Sequence, residues 1–366
     1  MAQNKEKESK AKKNCLEKCH ITDCAILADD YFSLVTAKEG NYDRWSTLAP
    51  VGFVTYDLQN KINNAEPWGC STFEKNNFYL PRCVHTKPSE ALWVDEEGTV
   101  YYFGLGKNKQ YEGPISKKVI SRSVYGLQNI QGTIYAVGQP RAVARRDGPN
   151  QWTLISQEAQ EGVEELDGLK IGFDCIDGFD QNDLYAGGGH SDLWHFDGTH
   201  WTPLDLPIAN MRIRAISCAG DGQVYLVGRF GDIARGRGDR WEMVEHGVTE
   251  SDFRDAVWYR DRLYAATDHD LYQLQGDELS LVDFGKVAKT PFSFGHLYVN
   301  AGLLLSAGAH SAALYDGEQW KPLYGCTDAR DKASVNAAAS LLLEAEEKLG
   351  EAEEAMEEAL KIRPEP

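Results

Sequence analysis

The sequence predicts an all-β protein, a β-propeller, because a repeat of about 40 residues, a turn motif and a tryptophan keep the same phase. Runs of the form aromatic-x-x-Gly mark the repeat, and they are 101-YYFG-104, 135-YAVG-138, 185-YAGG-188 and 225-YLVG-228, with weaker copies at 264-YAAT-267 and 305-LSAG-308. Successive copies are 34, 50, 40, 39 and 41 residues apart. A fixed period of this length indicates supersecondary units that stack on one another.

Each unit has the pattern of four short strands. A mostly apolar run such as 214-RAISC-218 precedes the aromatic-x-x-Gly run by about ten residues. A Gly-containing turn follows it, as in FDGTHW and YDGEQW, and Asp-Gly between two β runs favours a tight hairpin. The residues that close the units are Trp152, Trp201, Trp241 and Trp320, with Leu279 and Leu281 in the fifth unit. We expect these residues to pack between neighbouring blades.

The period also separates a propeller from other all-β architectures. One four-stranded meander cannot bury both faces, whereas several arranged radially can. A two-sheet sandwich is the competing architecture, but it predicts no fixed period. Six units occupy residues 88–323, and the strand-like runs 51-VGFVTYDL-58 and 77-NFYLPRCV-84 predict one more. We therefore expect seven blades, with six as the alternative.

The two ends of the chain differ in composition from the repeats. We expect residues 1–20 to be a basic, disordered segment, residues 21–325 the propeller, and residues 326–366 a separate acidic tail. Within the tail, residues 341–362 carry an apolar 3-4 stripe flanked by Glu, which predicts an α-helix with a heptad pattern. This helix has three possible roles: it packs on the propeller, pairs with a second copy, or grips a partner.

Charge and hydropathy narrow the class of partner. The net charge of −18 disfavours nucleic acid, whose phosphates it repels, and favours a basic protein partner. The sequence contains no run of 18 apolar residues, so it predicts no membrane-spanning helix. The N-terminal lysines are not followed by the apolar segment of a secretory signal. We expect a cytoplasmic protein that does not bind membranes.

The N-terminal cysteines suggest a metal site only weakly. Cys15, Cys19, His20 and Cys24 are residue types that bind zinc, but their spacing fits no standard finger. We expect no metal there, and either reduced thiols or, in an oxidising compartment, a disulfide.

One face of the propeller is predicted to gather cations and imidazoles. It carries the turns between second and third strands and the connections into the first strands. Its candidate binding residues are Arg122, Arg141, His190, Arg212, Arg214, Arg229, Arg254, His269 and His310. Such a face suits an anionic group, such as a carboxylate, a sugar acid or an acidic loop of a partner. The alternative is that each side chain satisfies its own turn or stands in water.

Catalytic motifs are absent from the sequence. It has no G-x-S-x-G, no Gly-rich loop followed by Lys and Ser or Thr, and no H-E-x-x-H. Pairs of carboxylates such as Asp174 with Asp177, or Asp268 with Asp270, suit a glycosidase, but the 56 acidic residues make such pairs common by chance. We expect no catalytic residue, no cofactor and no enzyme activity.

Residues 88–323 resemble a bacterial β-propeller of the WD-repeat/YVTN/BNR-like class. The resemblance rests on x-Y-x-x-G followed by DLWHFDGTHW or its relatives. The residue order of the sialidase Asp box and the Gly-His and Trp-Asp signatures of WD repeats are absent. The resemblance therefore implies a fold and leaves the function open, since propellers host many activities.

The charge, the absent signal and the absent catalytic motifs together favour a protein-binding propeller. Within that class we expect an immunity or inhibitor-type protein that binds and neutralises a basic toxin or effector. The alternative is a carbohydrate-active enzyme (a glycoside hydrolase or lyase) or a lectin-like propeller with a cationic mouth. The lectin alternative requires exposed indoles at Trp194 and Trp258.

Overall fold

The sheets of the protein follow the repeat. The computed structural model describes residues 19–38, 51–57, 68–72, 81–104, 110–161 and 171–328. These residues contain seven four-stranded antiparallel sheets, and within each sheet the strands pair in chain order. The prediction of an all-β propeller with four-stranded blades is confirmed.

The strands of the first four blades are defined as follows. Blade 1 contains β1 (Cys19–Ala28), β2 (Tyr31–Lys38), β3 (Val51–Asp57) and β4 (Trp68–Thr72). Blade 2 contains β5 (Arg82–His85), β6 (Glu90–Val94), β7 (Thr99–Gly104) and β8 (Gln110–Pro114). Blade 3 contains β9 (Val124–Ile130), β10 (Thr133–Gly138), β11 (Ala142–Gly148) and β12 (Gln151–Leu154). Blade 4 contains β13 (Phe173–Asp180), β14 (Asp183–Gly188), β15 (Leu193–Phe196) and β16 (Trp201–Leu204), and the short helix α1 (Gln157–Gln160) precedes it.

The last three blades have the same order of strands. Blade 5 contains β17 (Ile213–Cys218), β18 (Val224–Gly228), β19 (Ile233–Arg237) and β20 (Arg240–Met243), with a 3-10 turn at Arg229–Gly231. Blade 6 contains β21 (Asp255–Tyr259), β22 (Arg262–Ala266), β23 (Leu271–Gln275) and β24 (Glu278–Leu281). Blade 7 contains β26 (Gly295–Asn300), β27 (Leu303–Gly308), β28 (Ala312–Tyr315) and β29 (Trp320–Tyr324). The two-residue strands β25 (Lys289–Thr290) and β30 (Thr327–Asp328) pair with each other beside blade 7.

The first strand of each blade lies innermost, and these strands close a ring. Each of β1, β5, β9, β13, β17, β21 and β26 contacts the next, and β26 contacts β1. At the closure, the Ile21 backbone N–H donates to the Ala309 carbonyl (2.9 Å), and the Asn300 side-chain amide donates to the Ile26 carbonyl (2.9 Å). Blade 1 takes all its strands from the start of the chain and blade 7 takes all of its strands from the end, so neither blade combines strands from both. The ring is therefore closed by these hydrogen bonds and by apolar packing between the two blades.

The phase of the first predicted unit is wrong by one strand. The run 101-YYFG-104 lies in β7, the third strand of its blade, whereas 135-YAVG-138 and the later copies lie in second strands. The first strand of blade 2 is β5, whose residues 82–84 were assigned to the preceding blade. An aromatic-x-x-Gly run fits any strand that ends at a crowded turn. The motif alone therefore does not show whether its strand is the second or the third of the blade.

The core lies between the blades, as the closing tryptophans predict. The buried Trp201 packs with Tyr135 and Val143 of blade 3, and its indole N–H donates to the Ile155 carbonyl (2.8 Å). Trp320 packs in the same way against Tyr264 of blade 6. Trp152 and Trp241 are half-buried against the blades that precede their own.

The fifth unit shows which of its two leucines replaces the tryptophan. Leu279 is buried among residues of blades 5 and 6. Leu281 points outward and is 58% exposed. The inter-blade position therefore falls on Leu279, two residues before the end of β24.

Several predictions about the chain ends lie outside the described residues. These include the N-terminal residues 1–18, the tail from residue 329 onward and the heptad stripe at 341–362. The described part of the tail, residues 326–328, joins the propeller through β30. Within the described part of the chain, no helix combines the length and the apolar character needed to cross a bilayer.

Candidate functional site

A cavity of about 720 Å³ runs along the axis of the ring, and the first strands of all seven blades line it. We call the side with the turns between second and third strands, and with the connections into first strands, the entry face. The opposite side carries the other hairpin turns. Because consecutive strands are antiparallel, the start of every first strand lies at the entry face.

Three of the predicted arginines line this cavity near the entry face. Arg212 pairs with Asp174 of the neighbouring blade (3.1 Å), and Arg254 pairs with Asp268 (2.7 Å). Arg214 forms no ion pair among the described residues, and its buried Nε has no acceptor there. Burial, together with the positive charges of Arg212 and Arg254, lowers the pKa of the Arg214 guanidinium. The predicted cluster of cations is therefore present at these three positions.

The other predicted arginines lie in turns around the cavity mouth. Arg141 pairs with Asp192 of the next blade (2.8 Å) and lies 5.0 Å from the centre of the Trp194 ring. Arg229 pairs with Asp252 (3.3 Å). Arg122 is half-buried in the connection into β9, where its carbonyl accepts a hydrogen bond from Lys117 (3.1 Å). The guanidinium groups of Arg141 and Arg229 are therefore held by Asp192 and Asp252, whereas the contact of Arg122 is made by its backbone.

The three predicted histidines occupy equivalent turns on separate blades. His190 is exposed, and its Nδ1 is 2.7 Å from the Asn210 side-chain oxygen. His269 is half-buried, and its backbone N–H donates to the Thr267 hydroxyl (3.2 Å). His310 is exposed, and its backbone N–H donates to the Ser293 hydroxyl (2.9 Å). None of the three lines the axial cavity.

Aspartates of the cavity wall join neighbouring blades. Asp23 accepts a hydrogen bond from the backbone N–H of Cys83 (2.8 Å), and Asp177 accepts one from that of Cys218 (2.8 Å). Asp255 accepts one from the backbone N–H of Leu297 (2.8 Å). Each bond crosses from the first strand of one blade to the first strand of the next. We call these three contacts the aspartate latches.

Burial among the inner strands raises the pKa of the three latch carboxyl groups. Burial raises the pKa of Asp23 and of Asp177 to about 6, while the Arg82 charge opposes the change at Asp23. Burial raises the pKa of Asp255 to about 7. Nearby, burial lowers the pKa of His296 to about 3, and Arg82 adds to this effect.

The N-terminal cysteine cluster is divided between described and undescribed residues. Cys19, His20 and Cys24 lie in β1, and Cys15 lies outside the described residues. Cys24 is buried between blades 1 and 7. Among the described residues, no group of three His, Cys, Asp or Glu side chains has the proximity that a metal ion requires.

A surface on blade 5, of which the sequence predicted only Arg229 and Arg254 as binding residues, exposes two large apolar side chains. Phe230 is 67% exposed in the 229–232 turn, and Val248 is 47% exposed in the connection 244–254. We call these two segments the Phe230 platform. The sequence signal was an aromatic residue in a turn where blade 4 has His190.

The face opposite the entry face is acidic at its turns and at the strand ends beside them. Ten exposed carboxylates lie there among the described residues: Asp29, Asp147, Asp180, Asp197, Asp221, Asp239, Asp261, Asp277, Glu278 and Glu318. Five exposed cations accompany them: Lys87, Arg237, Arg240, Arg260 and Lys321. On the entry face the described exposed charges are nearly balanced, with eight carboxylates and seven cations.

The two indoles that a lectin would need are engaged within the fold. Trp194 is half-buried under Arg141 and donates to Asp192 (3.0 Å). Trp258 is half-buried and stacks on Tyr225 with ring centres 5.5 Å apart.

Comparisons with known proteins show similarity in sequence to a curated protein and similarity in fold to solved structures. No family model matches the chain. The immune protein Tsi7 of Pseudomonas aeruginosa is 31% identical over 293 residues, which are 76% of this chain and 94% of Tsi7. A catalytically inactive virginiamycin B lyase from Staphylococcus aureus, with quinupristin, has a TM-score of 0.58 at 10% identity, covering 80% of this chain and 92% of the lyase. YCF48 bound to a D1 peptide has a TM-score of 0.56 at 18% identity, covering 81% and 91%. The two structural likenesses show the propeller fold alone.

Proposed function

Because the chain belongs to the family of the immune protein Tsi7, we propose that it is an immunity protein that binds a toxin protein and neutralises it. The observation that carries the proposal is the 31% identity over nearly the full length of Tsi7. The rigid ring of blades supports it, because a preformed surface loses little conformational entropy when it binds a partner.

The finer part of the proposal is that the toxin is basic. The net charge of −18 supports it, since opposite charges speed encounter and disfavour wrong partners. The attraction between opposite charges weakens with salt. The association rate constant should therefore fall by at least about tenfold between low and physiological ionic strength.

Growth of bacteria tests the function directly. Each gene beside that of the immunity protein is expressed from an inducible promoter, with and without the immunity protein. The proposal predicts one neighbouring product that stops growth when alone and permits growth when the immunity protein is present. A toxic neighbour that the immunity protein does not relieve would contradict it, and co-expression of an unrelated propeller controls for general effects.

The axial cavity meets one requirement of the enzyme alternative, which needs a deep pocket at the cationic mouth. Family membership nevertheless favours the immunity protein, and Arg141 and Tyr225 already occupy one face of the Trp194 and Trp258 indoles. The relation to virginiamycin B lyase adds nothing to the enzyme alternative, because 10% identity indicates the fold only.

A further inference from the structure

We infer that the Phe230 platform is the surface that anchors the toxin, with the Phe230 ring at its centre. The inference rests on the proposed function, because it names the contact surface for that same partner. Neither folding nor turn chemistry accounts for this side chain, and its surroundings fit a basic protein.

The backbone of Phe230 is in the left-handed region. Its φ is 58° and its ψ is 25°, and the residue that follows, Gly231, has a φ of 76°. Asn and Gly adopt such angles most readily, whereas a bulky aromatic residue there is an outlier. A turn of this shape therefore favours Asn or Gly at position 230, and Phe is unfavourable for the turn.

The Phe230 ring also contributes little to the core. It is 67% exposed, and the guanidinium carbon of Arg229 lies 4.9 Å from its centre. An unfavourable conformation that presents an aromatic ring to solvent is typical of a functional position. Aromatic side chains are enriched among the few residues that dominate binding energy at interfaces.

The platform is held rigid beneath the ring. The Asp252 carboxylate accepts the Phe230 backbone N–H (3.0 Å) and pairs with Arg229 (3.3 Å). His246 Nε2 donates to the Gly231 carbonyl (2.7 Å), and His246 Nδ1 accepts the Val248 backbone N–H (3.0 Å). These bonds join the 229–232 turn to the 244–254 connection, so the partner meets a preorganised anchor.

The charges around the ring specify the chemistry of the partner. Asp252 offsets the positive charge of Arg229, and Asp268 offsets that of Arg254. The exposed carboxylates Glu245 and Glu250 therefore remain on the same connection as Val248. An apolar anchor with an acidic rim fits an apolar pocket surrounded by Lys and Arg. The complementary partner is therefore a basic protein, in agreement with the proposed toxin.

The acidic opposite face is the competing contact surface. Its exposed carboxylates attract a basic protein from a distance, but exposed carboxylates remain solvated and contribute little binding energy individually. None of its described turns exposes a large apolar side chain. We therefore assign steering to that face and anchoring to the platform.

A stability and binding comparison tests the inference. Phe230→Asn removes the ring and places a favoured residue in the left-handed turn. Affinity for the purified toxin, identified by the growth test, should fall by about 30-fold or more, as for an interface hot spot. The melting temperature should stay the same or rise, because the backbone conformation is easier for Asn. Loss of affinity and of thermal stability together would instead indicate a structural residue and overturn the inference.

Two controls locate the contact. Tyr111→Asn removes another exposed aromatic ring, on blade 2, where Tyr111 is 57% exposed. Asp239→Asn with Asp261→Asn removes two carboxylates of the opposite face. Both should leave the affinity within about threefold, since neither removes the anchor. Greater loss in the aspartate double variant than in Phe230→Asn would move the contact to the opposite face. If the wild-type chain does not bind the toxin, the proposed function itself is contradicted. If Phe230→Asn binds the toxin as tightly as the wild type, only the assignment of the platform as the contact surface is contradicted.

Discussion

Asp177 in the first strand of blade 4 accepts a hydrogen bond from the backbone N–H of Cys218 in the first strand of blade 5, at 2.8 Å. Asp23 and Asp255 form the same kind of bond at two other junctions. A side chain thus satisfies a backbone donor that no strand of its own sheet can reach. The latches therefore join the first strands of three pairs of neighbouring blades at the wall of the axial cavity.

Removing the acceptor of one latch should destabilise the ring. Asp177→Ala leaves the Cys218 N–H without a partner and should lower the free energy of unfolding by about 1–3 kcal/mol. Asp177→Asn keeps an acceptor oxygen and should be the more stable of the two variants at pH 7.5. Urea denaturation measures both, and equal stability of the two variants would argue against the latch.

The latches should also make stability depend on pH. The folded pKa of Asp177 is about 6, against 3.8 for an ordinary aspartate, so the folded chain holds the proton to higher pH. Its contribution to stability is fully present below pH 3.8 and is lost as the pH rises through about 6. Wild-type stability should therefore fall more steeply than that of Asp177→Asn between about pH 4 and 6, by up to about 1.4 kcal/mol per pH unit. Parallel unfolding curves across this range would contradict the shift in pKa.

The two leucines that close the fifth unit should behave in opposite ways. Leu279→Ala opens a cavity between blades 5 and 6 and should cost about 2–5 kcal/mol of unfolding free energy. Leu281→Ala, at an exposed side chain in the same strand, should cost about 0.5 kcal/mol or less. Thermal and urea unfolding compare the pair. Similar losses in the two variants would show that the closing residue does not pack between blades.

Gly231 should be intolerant of a side chain. Its φ is 76°, and a Cβ there would collide with the Thr249 carbonyl across the platform. Gly231→Ala should therefore lose more unfolding free energy than Gly276→Ala, by about 1 kcal/mol or more, because Gly276 has a φ of 62° and open space around it. Equal losses would mean that the platform is not closely packed.

The architecture was predictable because the residues that define it repeat in the same phase. Trp201 and Trp320 sit where the period places them, and Arg212, Arg214 and Arg254 meet at the cavity as the strand order requires. Packing between blades requires the same residue types at the same positions in most blades, so the repeat can be recognised in a single sequence.

The latches and the platform were not predictable in the same way. Asp177 alternates with apolar residues like any polar residue on a strand, and its role depends on Cys218, 41 residues away. Phe230 follows an arginine in an irregular turn, and its exposure becomes evident only when the backbone places the ring outside the core. The latch depends on a contact between two blades, and the platform depends on contacts between two separate segments of blade 5, so no local pattern records either of them.

The most direct test of toxin neutralisation is a titration of the purified toxin with the purified immunity protein. The calorimeter records binding, and the toxic activity of the same samples is measured in parallel. We predict a saturable complex at a fixed stoichiometry, with toxic activity lost in proportion to the complex formed. Full toxic activity at saturating immunity protein, or no heat of binding together with no complex on a sizing column, would contradict the account.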